Sequence, residues 1–445
     1  MFQNTSALLA NNCHVLCVTK PVVLAKNYKM RYWTKKSKEE LQSKIQLALA
    51  ENINFSQDIS LGYPASKLDG NVFYDDAPFL KEAPILQTFV ANPNHIGCHT
   101  LGDSENVFSG THTIEREVLN VLAVDVFKAT PNSFDGYISP GGTEANIQAL
   151  WMYRNFFIYQ KGAKTNEIVI IASEDTHYSI PKGANLLQLD WVKIPVEPET
   201  RALNKVVLEN KILEAYNNGK KYFVVVANMG TTMFGSVDNP DDYTTVLEQH
   251  QLEYKLHIDG AYGGFVYPFS NEQSKINFQN PNISSITIDA HKMLQAPYGT
   301  GVFICRKGLI ENVLTKEAAY VEGMDLTLCG SRSGANAIAV WMILFTYGPN
   351  GWFEKISVLQ MRTQFLCYEL DCLNIAYFRE PHMNIVTIKS NHIPRELAMK
   401  YHLVPEQHHQ QNDWYKIVVM HHVEVQHLTT FIGEIKEWHA CLKVN

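Results

Sequence analysis

The sequence predicts an α/β fold: a large domain with a mostly parallel sheet, a small C-terminal α+β domain, and an N-terminal arm. Three observations lead there. Between about residues 134 and 310, short runs of β-formers alternate with stretches of helical periodicity. Such alternation builds a mostly parallel sheet covered on both faces. Further on the pattern changes, to two strand-like runs and a closing helical stretch over 425–442. The length, 445 residues at 46% hydrophobic, suits two or three domains or one large domain with an appendage.

The elements follow in order. Ser37-x-x-Glu40 is a capping box, and Leu41, Ile45 and Leu49 follow at helical spacing. Residues 51–91 are mixed and turn-rich and read as an arm. Over 113–127, Ile114, Val118, Val121, Leu122 and Val126 recur with helical period. Strands are expected at 167–172, 192–196, 222–227, 255–259, 286–289 and 301–305, with helices at 177–187, 203–217 and 243–250. An apolar helix over 335–347 and a longer one over 351–367 lead into the tail. There 384–388 and 414–419 are strand candidates, and 425–442 is a final helix. The expected divisions are an extension over 1–29, a helical arm over 30–95, a large domain over 96–345 and a small domain over 346–445. There is no internal repeat and no low-complexity segment.

Charge and composition narrow the function. The net charge is −7 and basic clusters stay short, which argues against nucleic acid or an anionic membrane as the main partner. No run reaches eighteen apolar residues, so no membrane span is expected. The eight cysteines form no C-x-x-C and read as reduced, cytosolic thiols. The pairs His408-His409 and His421-His422 would point apart on a strand or helix, so no metal site is expected there. In residues 1–29 the apolar runs are interrupted and lack a basic n-region, a poor fit to a secretory signal. They read as a loosely attached extension.

Chemistry concentrates where strands are expected to end. Ser285-Ile-Thr-Ile-Asp-Ala-His-Lys292 is a β-run that finishes on a lysine. A lysine in water, with a pKa of about 10.4, is a poor nucleophile at neutral pH. Partial burial disfavours its charged form and frees the amine to condense with an aldehyde. The aldehyde cofactor held in this way is pyridoxal 5′-phosphate (PLP). Gly141-Gly142-Thr143-Glu144 precedes a helical run and offers backbone N–H groups and a hydroxyl to a phosphate. Asp259, in His-Ile-Asp-Gly-Ala261, ends another strand, where a carboxylate can keep a pyridine nitrogen protonated; Ala261 is small enough to lie under the ring. His177 follows a strand and could stack on the opposite ring face, and Thr231 or Thr232 could reach the cofactor from a fourth strand end. Each has an ordinary rival: a snorkelling lysine, a glycine turn capped by Thr143, a solvated D-G-A turn, an exposed histidine, simple turn chemistry. Their common position and order carry more weight than any one of them.

On these residues the chain resembles the group II PLP-dependent amino-acid decarboxylases of the fold-type I, aspartate-aminotransferase-like superfamily, over roughly residues 85–435. The resemblance implies Lys292 in Schiff-base linkage to PLP, Asp259 on the pyridine nitrogen and His177 stacked on the ring. It also implies Ala261 beneath the ring, Gly142, Thr143 and His291 at the phosphate, and Thr232 near the ring. The segment from Tyr320 to Trp341, with Gly330-Ser331-Arg332, is similar to the family loop that helps build a site across a dimer interface. In that loop a tyrosine can protonate Cα. Tyr320 is the candidate here, with a packed interface aromatic as its rival, and Arg332 is expected to order the loop. His177 and Lys292 are the other candidate donors. The implied activity is decarboxylation of an L-amino acid to amine and CO2 by a cytoplasmic homodimer.

Other PLP chemistry, a C–C lyase or an aminotransferase, is the alternative, and an idle scaffold is a further rival. Transamination is disfavoured because residues 401–445 contain no arginine, the usual carboxylate grip. No residue selects the substrate. Two departures stand out. The family often carries serine or asparagine three residues before the lysine, whereas here Asp289 would repel phosphate, so it either faces away or pairs with a cation. Residues 92–99 also depart from the glutamate and aromatic decarboxylases.

Overall fold

A computed structural model describes residues 59, 61, 62, 69, 71, 94, 95, 101, 102, 109–318, 323–406 and 413–442. The chain divides into two units, Met1–Asn54 and Phe55–Asn445, and the described residues all belong to the second. The capping box at Ser37 and the extension over 1–29 lie outside them.

The main sheet has seven strands: β1 (Phe134–Ser139), β2 (Ile168–Ser173), β3 (Asp190–Ile194), β4 (Tyr222–Asn228), β5 (Glu253–Asp259), β6 (Ile283–Asp289) and β7 (Gly301–Arg306). Their spatial order is β1-β7-β6-β5-β4-β2-β3. Only β7 runs against its neighbours; the other pairings are parallel. The mostly parallel α/β sheet expected from the sequence is therefore present.

The reason lies in the strands' side chains. Tyr222–Asn228 reads Tyr-Phe-Val-Val-Val-Ala-Asn, apolar on both faces. Phe223, Val225 and Ala227 enter one core layer, and Val224 and Val226 enter the other. This two-residue alternation with both faces buried is what a sheet sandwiched between helices requires. Two helices, α2 (Gly142–Lys161) and α3 (Ser179–Leu187), cover one face through residues such as Leu150, Phe157, Ile180 and Ala184. The opposite layer receives Val118 and Leu119 of α1 (Ser109–Asn120), Leu208 and Ile212 of α4 (Lys205–Asn217), and Tyr243 and Leu247 of α5 (Pro240–Gln249).

Gly334–Cys372 forms α6, broken at Gly348 (φ 61°, ψ −178°) just before Pro349, as the two expected helices require. Beyond it lies a four-stranded antiparallel sheet of β8 (Tyr377–Phe378), β9 (Ile385–Lys389), β10 (Val404–Pro405) and β11 (Trp414–Val418), in the order β8-β9-β11-β10. Helices α7 (Arg395–Lys400) and α8 (Val425–Leu442) accompany this smaller sheet.

Candidate active site

Because β1, β2, β4, β5 and β6 run in one direction, their C-terminal ends share one edge of the sheet. In open α/β sheets ligands bind outside that edge. A cavity of about 640 Å³ opens there, lined by Gly142, Thr143, His177, Ala261, His291 and Lys292, among others. All of these were expected from the sequence to meet. Asp259 lies just behind the wall, where Asn146 Nδ2 donates to its Oδ2 at 2.8 Å and the Ala261 N–H to its Oδ1 at 3.1 Å. Thr232 is outside the lining; its carbonyl accepts a hydrogen bond from Lys416 Nζ at 3.1 Å. Tyr320 lies outside the described residues.

The cradle is built by close approach. Gly141, with φ 149°, is the N-cap of α2, and Gly142 is its first residue. A Cβ added to Gly142 would stand 2.7 Å from Asp289 Oδ2 and 3.1 Å from Ala261 Cβ, so a side chain there would fill the space. The N–H groups of the first helical turn lack intrahelical partners and carry the positive end of the helix dipole. His291 stands beside them, with Nδ1 donating to the Thr300 carbonyl at 2.9 Å. Burial pushes its imidazole below the usual value, against the pull of Asp289. Glycine N–H groups and a threonine hydroxyl form a donor set that fits a phosphate; His291, with its Nδ1–H given to Thr300, adds a donor from Nε2 only when the ring is doubly protonated.

Lys292 Nζ is 2.9 Å from Asp289 Oδ2, and its side chain keeps 25% of its exposure. Burial pushes the amine down, but Asp289 and Asp259 more than offset it, and the group stands above the ordinary lysine value. The expectation that burial frees this amine is thus corrected: Asp289 and Asp259 favour its charged form. Asp289 also settles its own alternatives. It lines the cavity and pairs with a cation, Lys292, while its Oδ1 is buried without a hydrogen-bond partner.

His177 accepts the Ser179 N–H on Nδ1 at 3.2 Å, and its ring centroid lies 4.0 Å from that of Tyr178. Burial lowers its pKa, with Asp259 opposing.

Several polar residues of this site were passed over in the sequence. Glu144 lines the cavity and accepts from Tyr137 OH at 2.9 Å; burial raises it to about 7. Asn146 lies one helical turn after Gly142, and His257 two strand positions before Asp259. Those spacings put each on the face of its element that carries the motif residue, a signal that was readable. Leu328 lines the cavity of its own chain, its N–H bonded to Gln148 Oε1 at 2.8 Å. Arg332 pairs with buried Glu115, which also takes the Ile138 N–H, so this arginine orders the loop. His95 and Arg332 face each other in a two-strand pairing.

Comparison with known proteins agrees with this geometry. A family model described as the pyridoxal-dependent decarboxylase conserved domain matches residues 109–378. A tryptophan decarboxylase of Clostridium sporogenes is 52% identical over 92% of this chain and 98% of its own length. A probable L-tyrosine/L-aspartate decarboxylase of Methanococcus aeolicus is 30% identical, covering 76% of this chain and 87% of that protein. The crystal structure of Oryza sativa TDC with PLP and tryptamine superposes with a TM-score of 0.75 at 16% identity, over 94% of this chain and 91% of that one, a likeness of fold. With its motifs gathered at one sheet edge and its sequence matched along most of its length, this chain belongs to the pyridoxal-dependent decarboxylase family and is a PLP-dependent carboxy-lyase that converts an L-amino acid to its amine and CO2.

Proposed function

We propose that the substrate is an aromatic L-amino acid, L-tryptophan before others, and the product tryptamine. The observation that carries this is the 52% identity to a tryptophan decarboxylase over 92% of the chain. The cavity wall supports it, since Ile147, Tyr178, Tyr298 and Leu328 offer the faces a planar ring packs against.

Within this reading Lys292 Nζ is the attachment point. Gly142, Thr143 and His291 hold the phosphate, Asp259 accepts from the protonated pyridine nitrogen, and His177 and Ala261 flank the ring. Thr232 and Tyr320 are assigned to the ring and to Cα protonation on the resemblance alone. Bound there, the cofactor supplies a sink for the electron pair left on Cα when CO2 departs. The chain's task is to orient the substrate carboxylate bond perpendicular to the ring and keep water away. It then returns a proton to Cα, from His177 Nε2, Lys292 Nζ or Tyr320 OH.

The assay is a panel of the standard L-amino acids with the holoenzyme. Tryptamine and CO2 in equal amounts from L-tryptophan, at the highest kcat/KM, is the expected result. Keto acid, or a better non-aromatic substrate, overturns the assignment.

The reading includes a homodimer. Tyr298 is 90% exposed on the cavity lining, and Met324 and Leu328 are exposed too, an apolar rim that suits a subunit contact. A fully active monomer in light scattering would contradict this. The cytoplasm is the proposed compartment because Cys305, Cys329, Cys367, Cys372 and Cys441 are all free thiols. Recovery of the native protein in an oxidising compartment would remove that reading. Among the described residues no helix is long and apolar enough to cross a membrane.

A further inference from the structure

Behind the cavity, between α2 and the sheet, a seam of polar side chains replaces the apolar core. Asn146, His257, Ser285 and Ser179 in it are all fully or almost fully buried. Buried polar groups of this kind are stable only when each finds a partner. Here the partners define a direction.

Asn146 Nδ2 donates to Asp259 Oδ2 at 2.8 Å and to Ser179 Oγ at 2.9 Å, which uses both amide protons. Turning the amide over would set its oxygen against the Asp259 carboxylate, so the orientation is fixed by charge. Asn146 Oδ1 then accepts from His257 Nε2 at 3.0 Å, and Thr287 Oγ1 stands 3.2 Å from the same nitrogen. A neutral imidazole with its proton on Nε2 accepts on Nδ1. Ser285 Oγ, 2.7 Å away, therefore donates to Nδ1, and Tyr153 OH donates to Ser285. Burial, the largest influence on His257, lowers it to about 4 and so favours the neutral ring. At the far end Ser179 Oγ, having accepted from Asn146, donates to His177 Nδ1 at 2.8 Å. The proton of His177 is left on Nε2.

We propose that Asn146 and His257 are positioning residues, which hold Asp259 purely as an acceptor for the pyridine nitrogen and, through Ser179 Oγ, support the Nε2–H form of His177 that the Ser179 N–H already sets. Six side chains from Tyr153 to His177 act through one ordered run of hydrogen bonds, with Asp259 attached at Asn146. The proposal rests on the ring-facing roles of Asp259 and His177 given above.

The test compares His257→Leu, His257→Gln, Ser285→Ala and Asp259→Ala with the native chain. Two quantities are read: the Kd of PLP for the apoprotein, and the pH midpoint of the visible absorbance of bound PLP. Glutamine keeps a donor for Asn146 Oδ1, whereas leucine does not. The expected result is a Kd raised about tenfold and a midpoint displaced by about one pH unit in His257→Leu. His257→Gln should recover most of both, and Ser285→Ala should shift them in the same direction by less. If His257→Leu does not fold, the contrast of His257→Gln and Ser285→Ala with the native chain decides. Native Kd and midpoint in Ser285→Ala, or a His257→Gln as impaired as His257→Leu, overturns the proposal. Should Asp259→Ala also leave the midpoint unmoved, the role of Asp259 itself fails; if it moves the midpoint and the His257 variants do not, only the positioning chain fails.

Discussion

Lys292 Nζ lies 2.9 Å from Asp289 Oδ2, so the amine proposed to meet the cofactor's aldehyde is held as an ion pair by a carboxylate three residues earlier. His291 Nε2 is 3.7 Å from the same oxygen. One carboxylate thus stands between the two basic groups of the Asp-Ala-His-Lys motif. The phosphate-repelling aspartate of the sequence is, in the fold, the counter-ion of Lys292.

Asp289→Asn should therefore speed cofactor uptake at neutral pH. The substitution removes the nearest charge that raises Lys292, leaving burial to lower it. Each unit by which the amine's pKa falls gives about tenfold more free base. The check is the rate of PLP uptake by the apoprotein across pH 6.5–10 (roughly, the range over which a lysine near its ordinary value begins to lose its proton). The advantage of the variant should shrink as pH rises. A variant that loads no faster at neutral pH would show that Asp289 does not govern the amine.

Glu144 predicts an opposite pH dependence for cofactor affinity. Burial raises its carboxyl to about 7, so it is largely protonated at pH 6 and largely ionised at pH 8 (about one unit either side of that value). Ionisation places a negative charge in the wall of the cavity proposed to take the phosphate. PLP should bind more weakly as pH rises through 7, by about tenfold for a charge held at 5–10 Å in a partly solvated site. Glu144→Gln retains an acceptor for Tyr137 OH and should flatten this limb. Equilibrium titration of the apoprotein with PLP from acid to mildly alkaline pH measures it. An unchanged slope in Glu144→Gln would assign the effect to another group.

How much of this was legible follows from where the information resides. The strand at Tyr222–Asn228 is a short, nearly unbroken apolar run, and its length and its three valines select a strand buried on both faces over a buried helix. Phe134–Ser139 was not picked out as a strand, because Asp135 and Gly136 interrupt it; in the fold Asp135 accepts the Gly308 N–H at 2.7 Å, a contact across 173 residues. Helix α4 begins at Lys205 and not at Leu203, since Leu203 forms a β-bridge with Val196 and Asn204 caps the helix through its side chain. The glycine cradle, Asp259 and Lys292 were visible as local motifs. The charge state of Lys292 was legible only in part: Asp289, the stronger of the two carboxylates that raise it, stands three residues before it, whereas Asp259 is brought near from 33 positions away.

Lys416 makes the last prediction, and it joins stability to function. It sits in β11 of the small sheet, buried, where an arginine would have argued for transamination. Its Nζ donates to the Thr232 carbonyl, and among the described residues no carboxylate lies within ion-pair distance. Burial, and then Lys292, lower it to about 8. The sign follows from linkage. The native state holds this proton less tightly than the unfolded chain, so stability is diminished below pH 8 and recovers as pH rises towards 10.5. Lys416→Met keeps the length of the side chain and removes the charge. Urea unfolding at pH 7 should show a gain of about 1–3 kcal/mol over the native chain, and the gap should close in alkaline buffer. A destabilising cation is retained where activity uses it, and this one adds positive charge near the cavity proposed to receive the substrate's carboxylate. KM for the amino acid should accordingly rise about tenfold, a loss of roughly one charge-assisted contact, with a smaller change in kcat. A variant that is less stable at neutral pH, or one with native KM, would make Lys416 a packing residue held by its hydrogen bond to Thr232.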